Sequence, residues 1–174
     1  RQVVICGKGV YTNSLTKTFT IRPETMASAV ITGCKAKYSY TGKQVKPLIQ
    51  VVWNGKILRN NTDYTLLYKN NKKRGSAGIV VTGKGNYSGT LTASFTIVRA
   101  SVKKASVTGL KAVYARTGKA VKPKVTVKLG GKKLKKKRDY ILSYRKNKKK
   151  GTALLYVKGV GNYSGTKKMK FKIR

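Results

Sequence analysis

Gly83-Lys84-Gly85-Asn86-Tyr87-Ser88-Gly89-Thr90 returns, 76 residues later, as Gly159-Val160-Gly161-Asn162-Tyr163-Ser164-Gly165-Thr166. Extended outward, the match aligns residues 23–98 with 99–174 without a gap, identical at 35 of 76 positions. A partial copy leads the chain: Cys6-Gly7-Lys8-Gly9-Val10-Tyr11 falls on the same turn, and Phe19-Thr20-Ile21 matches Phe95-Thr96-Ile97. A fixed period of this size marks one folding unit used repeatedly, so fold and function are read per repeat. The expected organisation is the last strands of a preceding repeat over 1–22, a full repeat over 23–98 and a second, highly basic one over 99–174. On this reading the chain is a section of a longer array. Such arrays make stalks, adhesins and binding surfaces far more often than enzymes.

Within a repeat the local pattern is that of strands. Lys122 to Leu129 alternates polar and apolar with period two. Tyr140-Ile-Leu-Ser-Tyr144 is a short aromatic and β-branched run, and Thr152 to Lys158 lies between glycines. Lys168 to Ile173 puts Met169, Phe171 and Ile173 on one face and Lys168, Lys170 and Lys172 on the other. Turn signals recur at Thr117-Gly118, Gly130-Gly131, Asn147 to Gly151, Gly159 to Gly161 and Ser164-Gly165, and no stretch sustains a 3.6-residue period. Many short strands between regular turns predict an all-β fold of antiparallel sandwich type. Lysines on alternate positions then mark a solvated face and guard strand edges. Tyr64, Tyr68, Phe95 and their second-copy equivalents Tyr140, Tyr144 and Phe171 are expected in or beside the core. Trp53, replaced by Leu129, is expected to pack as well. Tyr87 and Tyr163 are expected to bury their rings and bond their hydroxyls to the backbone, as in a tyrosine corner.

The chain carries 41 Lys and Arg against 3 Asp and Glu, with no His, for a formal charge of +38. The charge is unevenly placed: net +4 over 1–22, +9 over 23–98 and +25 over 99–174. One fold serves both full repeats, so that fold does not require the extra cations. They resist self-association and set up a strong positive field. The densest clusters are Lys132, Lys133, Lys135, Lys136, Lys137 and Arg138, then Arg145, Lys146, Lys148, Lys149 and Lys150. They bracket the strand predicted over 139–144 and should emerge at its opposite ends. These eleven residues are the candidate partner-binding set, acting by charge steering and ion pairing.

The inventory argues against catalysis. No His is present as a general base, and Glu24, Asp63 and Asp139 are the only carboxylates. Asp63 and Asp139 are repeat equivalents, so they make no catalytic pair. Each precedes a Tyr at a strand entrance, where Asp bonds nearby amides. Gly83-Lys84-Gly85 lacks the Gly-Lys-Ser/Thr ending of a phosphate loop. A covalent Lys–Asn crosslink would have only Asp63 or Asp139 as its assisting acid. Cys6 and Cys34 both depart from the repeat pattern; they are either a disulfide tying the leading strands to the next repeat or two separate small thiols. Two cysteines without His cannot close a zinc site, and no cofactor is implied. No apolar run approaches the roughly 20 residues of a membrane-spanning helix.

"YTGKQVKP" and "DYTLLYKNNKKRGSAGIVVTGKGNYSGTLTASFTI", with their second-copy counterparts, resemble the bacterial Ig-like tandem repeats of large secreted or wall-attached proteins of Gram-positive gut bacteria. The resemblance implies tandem Ig-like β-sandwich domains, extracellular placement and no catalysis. Related arrays serve as stalks, adhesins and binders of host glycoproteins, and some surface proteins of this general class bind antibody variable domains. The expected function is therefore a non-catalytic binding module that engages a host protein or glycoprotein, an immunoglobulin among the candidates, with its basic loops aiding attachment. The alternative is a spacer held to anionic wall polymers such as teichoic acids. Nucleic-acid binding would call for aromatic platforms among the lysines. The tyrosines instead sit at repeated core positions, which sets nucleic acid aside as the partner.

Overall fold

The computed structural model describes all 174 residues. Two leading strands, β1 (Gln2–Cys6) and β2 (Ser14–Thr18), precede nine strands of the first full repeat. These are β3 (Glu24–Thr25), β4 (Val30–Thr32), β5 (Lys37–Ser39), β6 (Gln50–Trp53), β7 (Lys56–Leu58), β8 (Tyr64–Lys69), β9 (Gly75–Gly83), β10 (Tyr87–Ser88) and β11 (Thr90–Val98). The second repeat returns all nine at the same spacing: β12 (Ala100–Ser101), β13 (Ser106–Thr108), β14 (Val113–Tyr114), β15 (Thr126–Leu129), β16 (Lys132–Lys133), β17 (Tyr140–Arg145), β18 (Gly151–Gly159), β19 (Tyr163–Ser164) and β20 (Thr166–Ile173). One 3-10 turn, Val102–Lys104, interrupts them. The protein is all-β.

Sheet orders repeat with the strands. A four-stranded sheet runs β5-β11-β9-β8 in the first repeat and β14-β20-β18-β17 in the second. A three-stranded sheet runs β4-β6-β7 and then β13-β15-β16. In the second repeat Val127 and Leu134 share one core with Tyr140, Ala153, Leu155, Val157, Phe171 and Ile173 of the four-stranded sheet. Two sheets closing on one apolar core are consistent with a β-sandwich. Antiparallel pairing is not universal, contrary to the expectation from sequence: β14 pairs β20 and β12 pairs β19 in parallel. These partners lie far apart in the chain, so no hairpin dictates their direction.

By compactness the chain divides into two units. One holds Arg1–Cys34, Leu48–Leu67 and Ile79–Ala93; the other holds Lys35–Pro47, Tyr68–Gly78 and Ser94–Arg174. In the first, Met26, Val51, Leu58, Tyr64, Ile79, Val81 and Tyr87 are buried. Its hairpin β1–β2 keeps the register of β18–β20, Gln2 facing Thr18 as Leu154 faces Lys170. Val3, Ile5, Tyr11, Phe19 and Ile21 are exposed there, whereas their equivalents Ile79, Val81, Tyr87, Phe95 and Ile97 are buried.

The repeated turn explains its own sequence. A Cβ on Gly159 would stand 2.7 Å from the Ser164 nitrogen, so only glycine lets the chain fold back so closely. Gly161 has φ +62, a left-handed conformation that glycine adopts freely. The strand read over Lys122–Leu129 is shorter than its alternation suggests and begins at Thr126. Pro123 cannot donate to a ladder, and side chains secure this stretch instead. The Tyr144 hydroxyl donates to the Pro123 carbonyl at 2.7 Å. Asn147 Nδ2 donates to the Val121 carbonyl at 2.8 Å, while the Val121 N–H donates to the Asn147 carbonyl.

Candidate functional site

Both basic clusters lie at strand ends of the second repeat, and β17 separates them as its position in the sequence requires. Lys132 and Lys133 form β16, and Lys135 to Arg138 turn the chain toward β17. Arg145 closes β17, and Lys146 to Lys150 make its connection to β18. All eleven predicted residues are exposed. A strand of six residues spans about 20 Å, so the two clusters are separate surfaces and not one cleft.

Asp139 organises the first cluster. Its side chain is buried, yet Oδ2 accepts the Lys135 N–H at 2.8 Å, and both oxygens accept from the Arg138 guanidinium at 2.9 Å. The Arg138 pair, reinforced by the Lys135 N–H against the opposing effect of burial, holds this carboxyl below its ordinary value. Asp63 repeats the device, Oδ2 accepting the Arg59 N–H at 2.8 Å, and that bond is the main cause of its lowered pKa. Both aspartates thus bond the amide four residues back, as expected for Asp at a strand entrance.

Three of the eleven candidates have side-chain partners within the chain. Arg138 holds Asp139, Lys132 Nζ stands 6.0 Å from the centroid of the Tyr40 ring, and the Arg145 guanidinium stands 5.7 Å from that of Tyr156. Two others sit on unfavourable backbone: Lys137 has φ +71 and Lys146 φ +55. Their first-repeat equivalents are Asn61, φ +67, and Asn70, φ +54. Asparagine tolerates this region much better than lysine. The second loop encloses an open hollow of about 510 Å³ lined by Lys146 to Thr152.

The same loop of the first repeat, Asn70 to Ser76 with Gln44 and Tyr68, borders a hollow of about 600 Å³ and carries Lys72, Lys73 and Arg74. The candidate set omitted these cations, although the 76-residue alignment points to them directly.

The tyrosine-corner expectation is corrected in part. The Tyr87 and Tyr163 rings are buried, and burial pushes the Tyr163 hydroxyl upward in pKa. The Tyr87 hydroxyl, however, accepts from Lys56 Nζ at 3.2 Å, with Trp53 edge-on to its ring at 5.4 Å. Side chain-to-backbone bonds come from Tyr68 and Tyr144, which donate to the Pro47 and Pro123 carbonyls. Cys6, facing Ser14 across the hairpin, is an exposed free thiol, so no disulfide draws it to Cys34, which is half-buried.

Fold and surface together define an all-β protein of repeated two-sheet units with a strongly basic exterior. No family model, curated protein or solved structure matches the chain. No helix is long and apolar enough to cross a membrane.

Proposed function

We propose that the chain is a non-catalytic binding module of an extracellular bacterial surface protein, built of tandem Ig-like repeats, whose basic second repeat attaches it to anionic polymers. One observation carries the reading. The second repeat places 26 basic residues against a single acid, and that acid is already paired to Arg138. Exposed cations in this excess attract a polyanion by counterion release. The backbone at Lys137 and Lys146 adds support: asparagine suits those conformations better, so the charge there is held at a conformational cost.

The test is retention of the full chain on an immobilised anionic polymer across a salt series, with Lys132, Lys133, Lys135, Lys136, Lys148, Lys149 and Lys150 reversed to Glu. Binding should fall steeply with salt in the wild type, and be weaker with a shallower salt dependence in the variant. Affinity that neither falls with salt nor weakens on charge reversal overturns the proposal. Immobilised secretory immunoglobulin is the parallel arm: saturable capture in about 0.3 M salt, where exposed charges are screened beyond a few Å, would replace this reading with a specific host-protein receptor.

A further inference from the structure

The outward face of the sheet β14-β20-β18-β17 carries a charge pattern that the loops do not explain. Alternate residues of a strand share a face. The registers Ser143–Tyr156–Lys168 and Arg145–Leu154–Lys170 set these side chains in two adjacent rows. Lys158 stands in the row before them, and Lys172, opposite Thr152, in the row after. Five exposed cations, Arg145, Lys158, Lys168, Lys170 and Lys172, therefore occupy one face with no carboxylate among them. Half-buried Leu154 and Tyr156 form its midline on β18, while Ala153, Leu155, Val157, Phe171 and Ile173 point into the core. At the same positions the first repeat has Lys69, Thr82, Thr92, Ser94 and Thr96. Four of the five charges are thus additions to a sheet whose equivalent in the first repeat lacks them.

We propose that this face docks a linear polyol phosphate, a polymer of phosphates joined by short uncharged carbon chains, laid along β20 with its carbon segments over Leu154. The inference rests on the attachment reading above and gives it a site and a ligand class. Three features select the occupant. Lys168, Lys170 and Lys172 are two residues apart, a spacing of about 6.8 Å along an antiparallel strand. An extended peptide advances about 3.6 Å over three backbone bonds, so a polymer with six bonds between phosphates advances about 7 Å per charge and keeps step with the lysines. The face is also shallow. Its depression of about 200 Å³, bordered by Ser143, Arg145, Tyr156, Lys158 and Thr166, suits a chain lying across it more than a small anion entering it. A single-stranded nucleic acid has a similar phosphate spacing, but its bases seek open aromatic rings. Tyr156 is the only aromatic among the outward residues of β17, β18 and β20, and it is half-buried under the Arg145 guanidinium.

The experiment titrates poly(glycerol phosphate) with the full chain at several salt concentrations. Lys168→Thr/Lys170→Ser/Lys172→Thr installs the first repeat's own residues on the face. Lys148→Ser/Lys149→Ser/Lys150→Ser removes the same charge from the loop. The face variant should bind at least about tenfold more weakly than the loop variant. It should also lower the slope of log K against log salt by about two, at roughly 0.7 per lost phosphate contact. Lys168→Arg/Lys170→Arg/Lys172→Arg should keep affinity within about threefold. Thermal unfolding checks that each variant is folded. Equal losses in the face and loop variants overturn the site, and single-stranded DNA of matched phosphate number binding more tightly than the polyol phosphate overturns the ligand class. A wild type that fails to bind the polymer even at low salt defeats the broader attachment reading, an outcome distinct from both.

Discussion

Replacing Asp139 by alanine removes the acceptor that closes the turn between β16 and β17. In the wild type its Oδ2 takes the Lys135 N–H at 2.8 Å, and the Asp139 side chain is only 6% exposed. A hydrogen bond to a charged group contributes about 1.5–3 kcal/mol, and water replaces it poorly in a part-buried turn. The Arg138 pair adds little to this figure, because that guanidinium is 60% exposed and solvent screens it. The expected loss is about 2 kcal/mol, or a fall of about 10 °C in Tm for a domain of this size. Asp139→Asn keeps one neutral acceptor and should lose about half as much. Far-UV circular dichroism during heating at pH 7 reads both variants.

The pH dependence sharpens the same test. The carboxyl is held below its ordinary value of 3.8 in the folded protein, so its contribution is fully present above that value and disappears as pH falls through the lowered one. The Tm gap between wild type and Asp139→Asn should therefore narrow as pH drops below 3.8, whatever Asp63 and Glu24 do in both proteins. A Tm for Asp139→Ala within about 2 °C of wild type at pH 7, or a gap unchanged down to pH 2, would refute the assignment of the carboxylate to this turn.

Other substitutions test neighbouring steps. Tyr144→Phe loses the hydroxyl that donates to the Pro123 carbonyl and should cost about 1 kcal/mol by urea unfolding. Gly159→Ala forces a methyl against the Ser164 backbone and should cost about 2–3 kcal/mol, whereas Gly118→Ala, with open space around its Cβ, should cost only about 1 kcal/mol of left-handed strain. Lys137→Asn with Lys146→Asn should raise stability by about 1 kcal/mol while weakening retention on an anionic polymer, as measured by parallel denaturation and binding.

Much of the fold is legible in the sequence because its turns are chemically demanding. Glycine at 159 and 161 is required by a close backbone approach and a left-handed residue, so the motif fixes the period wherever it occurs. Alternation locates β17, β18 and β20 because each has one buried and one solvated side. Alternation also misleads, since Lys122 to Val125 shows the pattern outside the strand that begins at Thr126, and Pro123 has no N–H to give a ladder. Partners far apart in the chain were not legible, and neither the parallel β14–β20 pair nor the Lys56–Tyr87 bond leaves a local signature. The charged surface divides in the same way. Loop clusters are visible as runs, but Arg145, Lys158 and Lys168 come together only through the register of three strands. Along one strand, lysines on a merely solvated face and lysines on a docking face read identically.

Comparison of the two full repeats separates structural positions from decorated ones. Asp63 and Asp139, Tyr68 and Tyr144, and Asn71 and Asn147 all bond their own backbone and are unchanged between copies. The added lysines on β20 instead replace exposed Thr92, Ser94 and Thr96. If charge served solubility alone, any exposed position would do, and the left-handed positions 137 and 146 would be poor choices with unstrained ones beside them. Lysine there replaces the asparagine that suits the backbone in the first repeat. Left-handed backbone at two loop lysines, and four added cations on one sheet face, are the observations on which the proposed attachment rests. Placement of this kind is what a repeating anionic ligand requires and what general solubility does not.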